Sequence, residues 1–242
     1  MGASLIAERV HASAVETADD ASHDVACGSW SGTLQLLEVG CMRGDRLLFE
    51  RVSARVRPGQ LLRVCGPNGS GKTSLLRMVC GLAAPTSGEI RWRGTSLAAG
   101  RSAFNRAHLH LGHSAALQDA LSALENLVFA TALAGRHCTR AQALDALARA
   151  GLGGSEHLPA RLLSEGQRRR AALARLALED APPLWVLDEP FNALDDVASA
   201  WLRDRVGDHL RRGGIAVLTS HQATPLDAER GVVSIDLGDV SA

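Results

Sequence analysis

Residues 66–73 read Gly-Pro-Asn-Gly-Ser-Gly-Lys-Thr. An apolar run, QLLRVC at 60–65, precedes them, and SLLRMVCGL at 74–82 follows with apolar residues at helical spacing. Strand, glycine-rich turn and helix in that order fit G-x-x-x-x-G-K-[ST], a loop built to hold phosphate. Glycines allow the tight turn and point backbone N–H groups inward at phosphate oxygens. The helix that begins near Gly71 adds its positive dipole end. Lys72 is expected to reach the β- and γ-phosphates, and the Thr73 hydroxyl to coordinate Mg²⁺. The candidate nucleotide-binding residues are therefore Gly66, Pro67, Asn68, Gly69, Ser70, Gly71, Lys72, Thr73 and Ser74. The competing reading is a glycine turn that binds nothing. It has to explain a flanking strand and helix, and also why Lys72 is the only lysine in the chain, every other basic side chain being arginine. A compact ammonium does what a planar guanidinium cannot.

Downstream, LWVLDEP at 184–190 is an apolar run that ends in two acids. The C-terminal edge of such a strand is where a parallel sheet places ligands. Asp188 is the candidate Mg²⁺ ligand beside Thr73, and Glu189 the candidate general base for an attacking water. Alone, this pair could equally be solvated acids at a strand end; a phosphate loop upstream favours the functional reading.

The rest of the chain fits around these two motifs. It has 242 residues, 26 basic and 26 acidic side chains, no formal net charge and 46% hydrophobic residues. It can bury a sizeable core, and its balanced charge argues against a nucleic-acid partner. No uncharged apolar run reaches the ~18–20 residues of a membrane span. The first twenty residues carry acids where a signal peptide needs an apolar stretch, so no export is expected. Five cysteines (Cys27, Cys41, Cys65, Cys80, Cys138), odd in number and without a C-x-x-C, fit a reducing compartment.

Residues 1–32 lack periodicity and read as a flexible extension, with a short helix around Ala3–Ala14 allowed. From Thr33, TLQLLEV, RLLFERVSARV and QLLRVC read as strands separated by turn signals. SGEIRWRG and HLHLG read as further strands. Residues 120–181 are Ala, Leu and Arg at helical spacing, a helical block. PLWVLDEP, a helix over 195–212, IAVLTS and GVVSIDL complete the chain. Strands alternating with helices predict an α/β fold with a mostly parallel core sheet and the helical block inserted.

Leu163-Ser-Glu-Gly-Gln-Arg-Arg-Arg170 lies between the two nucleotide motifs. It resembles the L-S-G-G-Q signature of ABC-type ATPases, with Glu165 in place of the first glycine of the pair. By itself the segment is also an ordinary helix start, with Ser164 as cap and an acid in the first turn. Asn192-Ala-Leu-Asp195 resembles the family's D-loop, and Ser220-His221 its switch histidine. The resemblance covers residues 33–240. It implies a P-loop ATPase of ABC type over 33–242, with an antiparallel β subdomain and a helical subdomain at approximately 115–180. ATP and Mg²⁺ are implied as cofactors. So is a homodimer in which Ser164, Gly166 and Gln167 of one chain close on the ATP of the other, beside Asp195, and in which His221 assists Glu189 at the γ-phosphate.

Two positions depart from the family pattern. Where a Gln usually contacts Mg²⁺ and water, Leu111-Gly-His-Ser114 offers Ser114, with Gln118 four residues on. Where an aromatic, often Tyr, usually stacks on adenine, the hairpin Cys41–Asp45 offers Arg43, which either stacks its guanidinium or stays solvated.

The phrases LLFERVS, GPNGSGKTSLLRMVCGL, SALENL, LARLAL, LDEPFNALD and SHQ together resemble the CcmA family, the cytochrome c biogenesis ATP-binding export proteins. That resemblance implies ATP hydrolysis coupled to haem export or release of a haem chaperone. It also implies a CcmB-like membrane subunit and a peripheral place on the cytoplasmic face of the bacterial inner membrane. The alternative is the ATPase subunit of another transporter, with lipid, peptide or drug as cargo. SALENL at 122–127 lies where such a subunit receives a coupling helix, and equally reads as a capped helix start, Ser122 with Glu125. A chromosome-associated ATPase would need a long coiled coil that roughly ninety residues without heptads cannot supply. A translation factor would need a second phosphate loop, and a GTPase a second lysine.

Overall fold

The computed structural model describes residues 32–220 and 231–238. The expected N-terminal extension apart from Gly32, its short helix, and His221 lie outside the described residues. Two sheets carry the fold. The first has the order β2-β1-β4-β5: β1 (Leu34–Arg43), β2 (Arg46–Val56), β4 (Ser87–Trp92) and the two-residue β5 (Thr95–Ser96), all antiparallel. The second is wholly parallel, with the order β6-β7-β8-β3-β9: β6 (His108–Leu111), β7 (Leu184–Leu187), β8 (Ile215–Thr219), β3 (Leu61–Cys65) and β9 (Val232–Asp236).

The helix after the glycine loop, α1 (Lys72–Val79), buries Leu75, Leu76, Met78 and Val79 in one core with the inner faces of both sheets. On the other side of the parallel sheet, α6 (Asp196–Arg211) packs Leu202, Val206 and Leu210 against Trp185, Leu187 and Leu218. Every residue of β7 and β8 is buried, so they read as continuous apolar runs and not as alternating strands.

The helical block contains α3 (Ala123–Leu133), α4 (Arg140–Arg149) and α5 (Glu165–Leu173), and forms a third core of small and branched side chains around Ala143, Leu147, Leu152 and Ala174. Ser122 and Glu125 close a capping box at the start of α3, as the S-A-L-E spacing predicts. Besides the two-residue β5, one element has no counterpart in the sequence reading: α2 (Arg101–Ala107). Only Phe104 of its seven residues is buried, so it carries no apolar periodicity. It forms because the Phe104 ring packs between Trp92, at 6.2 Å, and His108, at 4.5 Å.

His209 of α6 makes stability depend on pH. Its ring stacks on Trp185 at 3.8 Å and 9°, and Nε2 lies 3.2 Å from the Ile215 carbonyl. Burial pushes its pKa down to about 4. The folded state therefore holds fewer protons than the unfolded state below the ordinary histidine value of about 6.5. This stability is complete above that value and is lost as pH falls toward 4. Between pH 7 and pH 5 the loss from this one group is about 2 kcal/mol. Burial lowers His108 and His110 in the same sense. Urea unfolding at pH 7 and pH 5 should show a smaller drop for His209→Gln than for the wild type; equal drops would remove His209 as a source.

Candidate active site

The phosphate loop turns through Gly66, Gly69 and Gly71 at φ of +139°, +82° and +101°, backbone that only glycine adopts without strain. Gly71 is doubly constrained. A Cβ there would meet the Phe49 ring at 2.9 Å and Leu48 Cβ at 3.2 Å, because β2 closes over the loop. Lys72 opens α1 and folds back, its Nζ donating to the carbonyls of Gly66 at 2.7 Å and Pro67 at 2.9 Å. It is 6% exposed. Burial pulls its pKa down, and the charges of Glu189 and Asp188 oppose that pull.

The strand end is tied to the loop by a chain of side-chain bonds. Thr73 Oγ1 donates to Asp188 Oδ2 at 3.0 Å, and Thr219 Oγ1 donates to Asp188 Oδ1 at 2.7 Å. Thr219 Oγ1 in turn accepts from the Glu189 amide at 2.8 Å. Parallel register explains the meeting: β7 lies beside β8, β8 beside β3, and all three run out at the same edge. Glu189 sits at φ +47°, the left-handed region that costs a non-glycine residue of order 1–3 kcal/mol. Its carboxylate accepts from Asn192 Nδ2, and Oε2 lies 3.5 Å from His113 Nδ1.

The signature segment begins α5. Ser164 caps the helix: its Oγ accepts from the Gln167 amide at 3.2 Å, and its own amide donates to Gln167 Oε1 at 2.9 Å. Both readings of Ser164 are thus compatible, since the cap holds the serine at a helix N-terminus. A Cβ on Gly166 would meet the Ala193 carbonyl at 3.2 Å, so this turn lies against the 192–195 loop. Asp195 caps α6 through the Ala198 amide and pairs with Arg170 at 2.9 Å.

Other expected residues sit further out. Arg43 is exposed at the end of β1, paired across the hairpin with Arg46. Ser114 is exposed on the loop after β6, and so is Gln118, whose main chain is fixed by Asn126 at 2.7 and 3.0 Å.

Three residues of this arrangement escaped the sequence reading: Thr219, Arg169 and His113. Thr219 had a usable signal, a hydroxyl at the end of an apolar strand flanking the one that carries the acids. Arg169 had none, since it is the middle of three consecutive arginines. His113 was visible only as the neighbour of Ser114.

The residues present suit a magnesium nucleotide. Ser70 Oγ is buried in the loop without a hydrogen-bond partner among the described residues, a donor suited to a phosphate oxygen. Thr73 and Asp188 form an oxygen donor set of the kind Mg²⁺ takes. A hollow of about 480 Å³ lies between the loop after β6 and the start of α5, lined by His113, Ser114, Glu165, Arg169 and Asn192.

Comparison with known proteins agrees with this geometry. The ABC transporter family model matches residues 49–192. The chain is 51% identical over 209 residues to the cytochrome c biogenesis ATP-binding export protein CcmA of Aromatoleum aromaticum, covering 86% of this chain and 97% of that one. To the CcmA protein of Pseudomonas aeruginosa it is 44% identical over 199 residues, 82% of this chain and 98% of that one. Among solved structures, a putative ABC transporter ATP-binding protein from Pyrococcus furiosus superposes with a TM-score of 0.72 at 23% identity, over 85% of this chain and 97% of that one. A dimeric ATP-binding cassette bound to ADP and Pi superposes equally well, at 0.72 and 23%, over 86% and 97%. Phosphate loop, paired acids and signature turn on one ABC-type framework, together with half-identical relatives matched nearly end to end, mean that the chain belongs to the ABC transporter ATPases and, within them, to the CcmA family of cytochrome c biogenesis ATP-binding export proteins.

Proposed function

We propose that this chain hydrolyses ATP as the peripheral subunit of a transporter, and that it couples hydrolysis to haem export or haem-chaperone release in cytochrome c biogenesis. Its partners are a second copy of itself and a CcmB-like membrane subunit, at the cytoplasmic face of the bacterial inner membrane. Among the described residues no helix is long and apolar enough to cross a membrane. The observation that supports the chemistry most is the bonded chain Thr73–Asp188–Thr219–Glu189, which joins the phosphate loop to the candidate base.

The residues divide the work as follows. Amides of 69–73 and the Lys72 ammonium hold the β- and γ-phosphates in place. Glu189 takes a proton from water as the water oxygen bonds to the γ-phosphorus; the bond to the β-bridging oxygen breaks and ADP leaves with the electron pair. Asn192 and the Thr219 bond to the Glu189 amide keep that carboxylate aimed. Thr73 and Asp188 are the residues that would hold Mg²⁺, which would supply positive charge against the phosphate oxygens. Ser164, Gly166 and Gln167 of a second copy close over the γ-phosphate near Asp195, and His221 adds a donor there. Arg43, on the β1–β2 hairpin, stacks its guanidinium on the adenine ring. Domain limits follow the same reading, with the nucleotide-binding domain over 33–242 and the helical subdomain near 115–180.

Deleting the gene from its host should abolish covalent haem in c-type cytochromes, scored by haem staining of membranes. A plasmid copy should restore it and a Glu189→Gln copy should not. Normal haem staining in the deletion strain would end the cytochrome assignment and leave the ATPase standing with another cargo.

A further inference from the structure

The three consecutive arginines of α5 face three different parts of the molecule. Arg168 pairs with Asp119 at 2.7 Å near the start of the helical block, and Arg170 with Asp195 at the start of α6. Arg169 turns inward and is only 6% exposed. Its Nη1 donates to the carbonyls of Gly112 at 2.8 Å and His113 at 3.1 Å. Its Nη2 donates to the carbonyls of Asp188 and Glu189, both at 2.9 Å. One guanidinium thus spans the loop that leaves β6 for the helical block and the loop that carries the candidate base.

We propose that Arg169 is a positioning residue for hydrolysis, a yoke that moves the His113 loop and Glu189 as one body with α5. This rests on the ATPase reading of the site. A buried cation is costly, and here four carbonyl dipoles, with the nearby charges of Asp188 and Glu189, offset that cost. Only the planar fork of arginine can serve two carbonyls from each terminal nitrogen; an ammonium has three donors around a single point. The two carbonyls on the base side belong to the peptide units around Glu189, whose φ of +47° is strained and needs outside support. On the other side, holding the His113 carbonyl fixes the backbone from which His113 Nδ1 comes within 3.5 Å of Glu189 Oε2. The loop therefore touches the carboxylate through His113. Ser114, standing where a glutamine is usual, is exposed. Because α5 begins with the signature turn, whatever seats Ser164 and Gly166 also sets the position of the Arg169 backbone and, through it, of the base.

The test compares Arg169→Lys, Glu189→Gln and the double variant with the wild-type full chain, purified with its membrane partner. Arg169→Lys should lower kcat about 10- to 100-fold, as misplacing a catalytic group does. KM and Kd for ATP with Mg²⁺ should stay within about 2-fold of wild type, and Tm within about 3 °C. In single-turnover assays the double variant should be no slower than Glu189→Gln alone, since Arg169 acts through Glu189. Should Arg169→Lys be insoluble, Arg169→Gln gives the same comparison, its amide having two donors in place of four bonds. An unchanged kcat, a kcat that falls in step with ATP affinity or Tm, or losses that multiply in the double variant would each overturn the proposal. A wild-type complex without Mg²⁺-dependent turnover would instead sink the ATPase reading itself.

Discussion

Glu189→Gln should still bind ATP and should lose turnover by about 10²–10⁴-fold, the range for removing a general base. The amide keeps the shape of the carboxylate and its contacts with Asn192 and His113, but it cannot accept a proton from water. The Glu189 backbone, held by Thr219 and Arg169, should not move. With hydrolysis blocked and ATP in place, two copies should stay closed on their nucleotides. Light scattering with MgATP should then report a dimer that persists for hours, while the wild type returns to its starting state as ATP is consumed. Near-wild-type turnover in Glu189→Gln would show that the base is another group. A variant that hydrolyses slowly but never forms a lasting dimer would contradict closure of one copy on the other.

Lys72→Ala should act earlier, on binding. The ammonium is the only formal positive charge contributed by the phosphate loop, and it is held 2.7 and 2.9 Å from loop carbonyls at the start of α1. A hydrogen bond to a charged group contributes about 1.5–3 kcal/mol, so losing it should raise the Kd for ATP by roughly 10- to 200-fold. Titration calorimetry with ATP and Mg²⁺ measures this directly. Lys72→Arg should not restore affinity, because the guanidinium is larger and flat and the site is enclosed by Gly66, Pro67 and the two acids. Equal Kd values for wild type and Lys72→Ala would remove this lysine from the nucleotide site. Together the two variants separate the roles: one binds ATP and cleaves it slowly, the other binds it weakly.

The glycine loop, the paired acids and the signature turn could all be recognised from residue order, and the reason is chemical. A backbone that must turn at φ of +82° to +139° without a Cβ can be written only with glycine. A helix start that must satisfy its own amides is written with Ser and Gln three apart, as at 164 and 167. The strands β7 and β8 were legible for a similar reason, since burial on both faces leaves unbroken apolar runs. The helix α2 was not, because a single buried Phe104 has no period to detect.

Arg169 lies between two other arginines, and nothing local distinguishes the one that spans two loops from the two that pair with Asp119 and Asp195. Its role depends on Gly112 and Asp188, the residues just past the ends of β6 and β7, which lie 57 and 19 residues away in the chain. Thr219 likewise becomes a bridge only because β8 packs beside β7 in parallel register. His113 meets Glu189 across 76 residues for the same reason: the strands that carry their loops are neighbours. Local backbone demands are written into adjacent residues and can be read there. The alignment of a base with the groups that aim it is a property of distances between strand ends, and those exist only once the sheet has formed.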